Sequence, residues 1–171
     1  MNYHNITHDD MNNGDGLRVV LWVSGCSHHC PACHNPQTWE FDSGVHFDTD
    51  AMNEIFEELS KDYVSGITFS GGDPLFNRNL MDIHNMCVIV KSAFPTKTIW
   101  LYTGFTFEEI IDPQNHFKER KQILEMCDVL VDGQFKYALK DVNLKWRGSS
   151  NQRVIDVQKS LKENRVVLWC D

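Results

Sequence analysis

Four short apolar runs, each stopped by a glycine, set the limits on how this chain can fold. Leu17–Ser24 (LRVVLWVS), Gly66–Ser70 (GITFS), Thr98–Thr103 (TIWLYT) and Asp128–Asp132 (DVLVD) are rich in β-branched and aromatic residues and are too short for helices. Gly25, Gly71, Gly104 and Gly133 end them. The stretches between carry apolar residues at helical spacing. Asp48–Lys61 places Met52, Ile55, Phe56 and Leu59 on one face, with Asp48 or Thr49 as the cap. Leu80–Phe94 closes before Pro95, and Pro113 parts Phe107–Ile111 from Phe117–Cys127. Alternation of this kind predicts an α/β fold with a mostly parallel sheet and right-handed crossovers. A closed eight-stranded barrel needs roughly 200 residues or more, and the chain has 171. The expected architecture is therefore an open, partial (β/α) barrel in a single domain, 1–171, with its core over 14–156. Past Lys140–Asn151, a polar loop, Arg153–Val157 and Val166–Cys170 read as two further short strands.

Composition removes several functions. Apolar residues make up 42% of the chain, enough for a packed core. Sixteen basic residues against 24 acidic ones leave a net charge of −8, which is wrong for a protein whose main partner is a nucleic-acid backbone. The longest unbroken apolar run, Val19–Val23, is far short of the ~20 residues of a membrane span. Met1–Asp10 is polar and acidic, unlike an export or transit signal, so the expected compartment is the cytoplasm.

Six cysteines are present, distributed unevenly. Cys87, Cys127 and Cys170 stand singly in apolar surroundings and read as small buried hydrophobes. Cys26, Cys30 and Cys33 crowd into one long loop, 25–44, directly after the first strand. Cytosolic thiols stay reduced, so such a group points to metal binding or catalysis rather than to disulfides. Two centres suit the spacing Cys-x3-Cys-x2-Cys. One is zinc completed by His28, His29 or His34, although zinc ligands usually come as two separated pairs and no second pair follows. The other is a cubane iron–sulfur cluster, which with three cysteines keeps one iron without a protein ligand. Ligands of parallel α/β sheets sit beyond the carboxyl ends of the strands. The cysteine loop, Gly71–Pro74, Thr103–Gly104 and Asp132–Gly133 are all expected there.

The ordered set of motifs resembles the radical S-adenosylmethionine (SAM) enzymes, and more narrowly the activating enzymes of glycyl-radical proteins. Asn13-Gly14-Asp15-Gly16-Leu17-Arg18 stands where that family has a Gly-Pro-Gly-like element. Ser24-Gly25-Cys26 leads into the cysteines and His34-Asn35-Pro36 trails them. Ser70-Gly71-Gly72-Asp73-Pro74-Leu75 is similar to the family's Gly-Gly-Glu/Asp-Pro motif. Trp100–Gly104, Val129–Gly133 and Trp146–Gln152 are similar to the branch that serves anaerobic ribonucleotide reductase. The resemblance runs from Met1 to about Gln152, and the tail from Arg153 carries no matching motif. Asp15 departs from the family's proline and His34 from its tyrosine. Ala32 agrees with the small residue of the narrower group, and Tyr102 replaces an aspartate linked to a cation elsewhere, so no cation site is carried over.

The resemblance implies a radical SAM-like domain. It implies a [4Fe-4S] cluster held by Cys26, Cys30 and Cys33, with SAM on the open iron. One electron then yields a 5′-deoxyadenosyl radical, which takes a hydrogen from a glycine Cα of a partner protein. The implied partner is the large subunit of an anaerobic ribonucleoside-triphosphate reductase, and the implied electron donor is of the flavodoxin type, with no nucleic acid or membrane involved. No catalytic side chain beyond the cluster is implied, because cofactors carry the chemistry and the protein orients and shields. Expected SAM contacts are Ala32, Cys33, His34, Gly71, Gly72, Asp73, Asp132, Arg147, Ser149 and Asn151. Gly71 and Gly72 permit close backbone approach. Asp73 would hold the turn or the ammonium of SAM, and Asp132 would orient Lys136 or the ribose. His28 and His29 are either solvated or tune a cluster sulfur. His4, His8, His46, His84 and His116 are expected at the surface, and Trp22, Trp100 and Trp169 in the core. Two other functions compete: a radical SAM enzyme acting on a small molecule, and a zinc-stabilised binding module without catalysis.

Overall fold

The computed structural model describes residues 1–169. It is an α/β protein built on one seven-stranded sheet in the order β3-β1-β2-β4-β5-β6-β7. The strands are β1 (Asn2–Asp10), β2 (Leu17–Val23), β3 (Val45–His46), β4 (Val64–Gly71), β5 (Thr98–Tyr102), β6 (Val129–Asp132) and β7 (Arg153–Asp156). The helices are α1 (Thr49–Leu59), α2 (Leu80–Ala93), α3 (Phe107–Ile111), α4 (Lys118–Met126) and α5 (Val157–Glu163). The parallel character is confined to the centre: β2, β4, β5 and β6 run parallel, while β1, β3 and β7 pair antiparallel at the margins. The sheet is therefore mixed, which corrects the expectation of a mostly parallel one to its core.

The expected helices and central strands are present with ends moved by one or two residues. Asp48 caps α1 by accepting from the Ala51 amide. Two strands and one α-helix were not expected. β1 is an edge-side strand with few apolar residues and no alternation to reveal it. β3 has only two residues. The helix α5 begins at Val157, where the expected strand Arg153–Val157 ends, capped by Asp156, which accepts from the Lys159 amide. In place of a strand over Val166–Cys170 there is a single antiparallel bridge between Leu168 and Ile155, and Cys170 lies outside the described residues.

Strand alternation sorts the side chains onto two unlike faces. Val19, Leu21 and Val23 of β2, Ile67 and Phe69 of β4, and Ile99 and Leu101 of β5 join Ile55, Leu59, Ile83, Met86, Val90, Ile123 and Leu124 of the helices in one core. Cys87 and Cys127 are fully buried in it, as expected. The opposite face carries a smaller apolar group of Trp100, Val129, Val131 and Val154, with Tyr102 and Trp146 against it and, among the described residues, none from a helix. The helices thus cover one face of the sheet and leave the other to loops.

Arg18 sits on that second face, fully buried. Its Nε donates to Thr68 Oγ1 at 2.8 Å, and its Nη2 donates to the carbonyls of Ile67 at 2.7 Å and Thr98 at 2.9 Å. Burial lowers its pKa to about 10, so it remains charged at neutral pH. A Cβ on Gly14 (φ +139°) would stand 2.6 Å from the Arg18 side chain, so the β1–β2 turn needs glycine to close over it.

At the far edge, Arg153 of β7 clasps α3. Its Nη1 and Nη2 donate to Glu108 at 3.0 and 2.7 Å. The Arg153 guanidinium holds the Glu108 carboxyl below the usual carboxylate range. A depressed carboxyl stabilises the fold above its unfolded pKa and loses that effect as pH falls through its folded one. Glu108→Gln is therefore expected to lower stability at pH 7 by no more than about 0.5 kcal/mol, since the pair is solvent-screened. In urea titrations the gap to wild type should close below about pH 4; a gap that persists there would mean the ionised pair is not its source.

Candidate functional site

The carboxyl ends of the parallel strands open into one cleft of about 420 Å³, within the range of small-molecule sites. The four segments expected at this edge all reach it: Cys26, Cys30 and Cys33 from the long loop, Gly71–Asp73 after β4, Thr103–Gly104 after β5, and Gly133 after β6. Its remaining walls include Asn13, Trp22, Trp39, Tyr102, Phe135, Trp146 and Arg147.

Backbone hydrogen bonds pin the cysteine loop to the turn after β4. Gly72 N donates to the Val23 carbonyl and Asp73 N to the Gly25 carbonyl, both at 2.8 Å. Gly25 N in turn donates to Thr38 O at 2.8 Å, and Cys26 N to Trp39 O at 2.9 Å. A Cβ on Gly72 would stand 2.6 Å from the Gly25 carbonyl oxygen and 2.9 Å from that of Thr38. Glycine is required there because two backbones meet at contact distance.

The three thiols are half-buried. Burial first, and the nearby Asp73 second, push the Cys26 thiol up to about 11 against the lowering effect of the His28 and His29 amides. Burial also raises Cys30, opposed by the Phe135 amide. Both are protonated at neutral pH in the metal-free chain, so loading a metal centre here releases protons. Asn35 N donates to Cys33 Sγ at 3.3 Å. Among the described residues, no three His, Cys, Asp or Glu side chains converge tightly enough to hold a single ion.

Of the residues expected to touch SAM, Cys33, His34, Gly71, Gly72, Asp73 and Arg147 line the cleft. Ala32 is exposed on the loop with φ +57° and does not line it. Asp132, Ser149 and Asn151 do not line it either. Asp132 is buried and accepts from Arg153 Nε at 3.0 Å and from the Phe107 amide at 2.8 Å; its hydrogen bonds go to these groups and not to Lys136. Ser149 Oγ donates to Asn151 Oδ1 at 2.8 Å, and Asn151 Nδ2 donates to the Gln134 carbonyl at 2.9 Å, so these two residues shape their own loop.

The structure also gives His28 a definite place. Its side chain is 9% exposed, with a buried Nε2 that lies 2.9 Å from Asp73 Oδ2 but off the line of a well-directed hydrogen bond, and Nδ1 3.1 Å from Gln134 Nε2. A Cβ on Gly104 would fall 2.3 Å from the ring, so glycine makes room for it. His29 is exposed and stacked on Trp39 at 4.9 Å. Trp100 is core as expected, while Trp22 lines the cleft and Trp169 is 39% exposed. Tyr102, Trp39 and Trp146 were missed as cleft residues; their strand or loop patterns look like ordinary packing.

These residues fit a cluster with an organic ligand. Three thiols share a wall, and the buried polar atoms Tyr102 Oη, Trp39 Nε1 and Arg147 Nε have no partner among the described residues. Orphaned buried polar groups at a cleft are free to meet a polar guest.

Residues 12–155 match the family model of the 4Fe-4S single cluster domain. Fold, cleft and match together define an α/β iron–sulfur protein, and the choice between zinc and cluster falls to the cluster. The chain is 42% identical to the anaerobic ribonucleoside-triphosphate reductase-activating protein of Enterobacteria phage T4 over 154 residues, 90% of this chain and 93% of that one. It is 41% identical to the protein of the same name from Escherichia coli (strain K12) over 156 residues, 90% and 97% of the two chains. For Vibrio cholerae the identity is 40% over 154 residues, 89% and 96%. The chain belongs to the family of anaerobic ribonucleoside-triphosphate reductase-activating proteins.

Proposed function

We propose that this chain is a radical SAM enzyme that installs a glycyl radical on anaerobic ribonucleoside-triphosphate reductase. The observation that carries the reading is the meeting of Cys26, Cys30 and Cys33 with the Gly71-Gly72 turn in one cleft at the carboxyl ends of the parallel strands. When bound, the cluster and SAM supply one-electron chemistry that ends in removal of a hydrogen atom from a glycine Cα of the reductase.

The chain's own residues bind, orient and shield. Cys26, Cys30 and Cys33 hold the cluster. Gly71, Gly72, His34 and Arg147 take SAM, with Gly72 letting the turn lie against the cysteine loop and Arg147 offering its unpartnered Nε. Ala32 contributes as part of the loop, and Asp132, Ser149 and Asn151 keep the walls in place through the bonds described above. Trp22, Trp39, Phe135 and Trp146 make the walls aromatic, which keeps water from a reactive intermediate. The one-sided helical cover and the four parallel strands support an open, partial (β/α) barrel of the radical SAM type, a single domain with the loop-covered face as its interior. A flavodoxin-type donor and a cytoplasmic setting complete the reading; among the described residues no helix is long and apolar enough to cross a membrane.

Anaerobic reconstitution tests it. Iron and sulfide near about four per chain, and a glycine-centred doublet in electron paramagnetic resonance after adding reductant, SAM and the reductase, are expected. A colourless zinc protein, or SAM cleavage with no radical on the reductase, overturns it.

A further inference from the structure

We infer that the segment Gln134–Arg147 is the docking lip for the reductase, and that it receives an acidic, apolar-bearing surface of that protein next to its glycine. The inference rests on the function just proposed and adds where the partner sits. The segment carries Lys136, Lys140, Lys145 and Arg147 against the single carboxylate Asp141, in a chain of net charge −8. Lys136, Lys140 and Lys145 are exposed, and none forms an ion pair among the described residues. Between them Tyr137 is 64%, Leu139 42% and Val142 85% exposed.

Exposed apolar side chains rimmed by cations that lack an ionic partner make a recognition surface rather than a solvated loop, and of these cations Lys145 also stands 4.1 Å over the Trp146 ring. The place decides what is recognised. The same segment turns Phe135, Leu144 and Trp146 into the cleft. A protein loop that delivers a glycine to the cleft therefore lies along this lip. Elsewhere the chain's excess negative charge repels an acidic partner; here the sign reverses, so approach is steered to the lip.

The test compares wild type with the triple variant Lys136→Glu, Lys140→Glu, Lys145→Glu and, separately, with Val142→Asp. All four positions are exposed, and an unchanged circular dichroism spectrum checks the fold. Dithionite supplies the electron, so no protein donor is needed. The expected result is at least about tenfold weaker reductase binding by the triple variant, with a wild-type salt dependence that the variant loses. The glycyl doublet falls in parallel, while SAM cleavage without reductase stays within about twofold of wild type, since the changes avoid the cluster and SAM contacts. Val142→Asp alone is expected to weaken binding several-fold. Reductase binding by both variants equal to wild type overturns the inference. So does a defect seen with a flavodoxin-type donor and abolished by dithionite, which would assign the lip to the electron donor. If wild type itself yields no radical on the reductase, the proposed function fails, which is a different outcome from failure of the lip.

Discussion

Alanine at Cys26, Cys30 or Cys33 is expected to leave a folded, colourless protein that forms no glycyl radical, whereas alanine at Cys87 or Cys127 is expected to lower stability and spare the cluster. The first three thiols are half-buried on a loop and face a cleft. Removing one sulfur there creates no sealed cavity, so stability of the metal-free chain should change by less than about 0.5 kcal/mol. What is lost is a ligand, and a cubane centre with two protein ligands in place of three is not retained through desalting. Cys87 and Cys127 are both fully buried between α2 and α4, and Cys127 Sγ lies 3.3 Å from the Ile123 carbonyl oxygen. Replacing either by alanine removes packed sulfur from a dense interior and is expected to cost about 1–2 kcal/mol. Their variants should bind iron and sulfide as wild type does. Iron content and urea unfolding, measured on the same preparations, separate the two groups. Cluster retention by Cys30→Ala, or its loss from Cys87→Ala with an intact fold, would contradict this division.

That division is legible in the sequence, because spacing and surroundings differ so plainly between the two sets of cysteines. The central strands and helices were readable for a similar reason: they pack through regular apolar periodicity and are stopped by glycine, proline or a capping aspartate. β1 was not, because an edge-side strand keeps mostly polar residues: Ile6 enters the core and Tyr3 packs against it, and backbone pairing to β2 does the rest. Antiparallel strands at both margins likewise follow from which backbones are left to pair, and no local pattern announces that. At the site, the meeting of the motif glycines and cysteines in one cleft was legible, because both follow strand ends on the same edge of the sheet. The roles of His28, Asp132, Ser149 and Asn151 were not, because a polar side chain in a loop motif looks the same whether it faces a ligand or an internal partner. Asp132 faces Arg153, 21 residues on, and His28 reaches Gln134, 106 residues on. Only the closed fold specifies such pairs.

Asp73 is where the two possibilities diverge most sharply, and its replacement is expected to give the largest loss of stability at the site. A carboxylate that binds the ammonium of SAM needs a free oxygen turned to the cleft. Here both oxygens are engaged. Oδ1 accepts from the Leu75 amide and from Thr103 Oγ1, each at 2.8 Å, closing the turn and tying it to the end of β5. Oδ2 accepts from the Gly104 amide at 3.1 Å and stands 2.9 Å from His28 Nε2. The carboxylate is 1% exposed. Arg120, stacked 3.9 Å over the Phe105 ring and donating from Nε to the Leu75 carbonyl at 3.0 Å, adds charge on the helical side. Asp73→Ala strands the donors of two chain segments, Leu75 and Thr103–Gly104, removes the carboxylate beside His28, and should cost about 3–5 kcal/mol in the metal-free protein. Asp73→Asn preserves the acceptor toward Leu75 and Thr103, but sets an amide N–H₂ against the Gly104 N–H and the His28 ring. Its cost should be about half as large, because roughly half the acceptor set survives. Urea unfolding at neutral pH, without metal or SAM, reads both values. A pure ligand-binding carboxylate would leave that curve almost unmoved while abolishing SAM binding. Unchanged unfolding of Asp73→Ala would therefore return Asp73 to the list of SAM contacts and remove it as the knot joining the β4 turn, the β5 end and the cysteine loop.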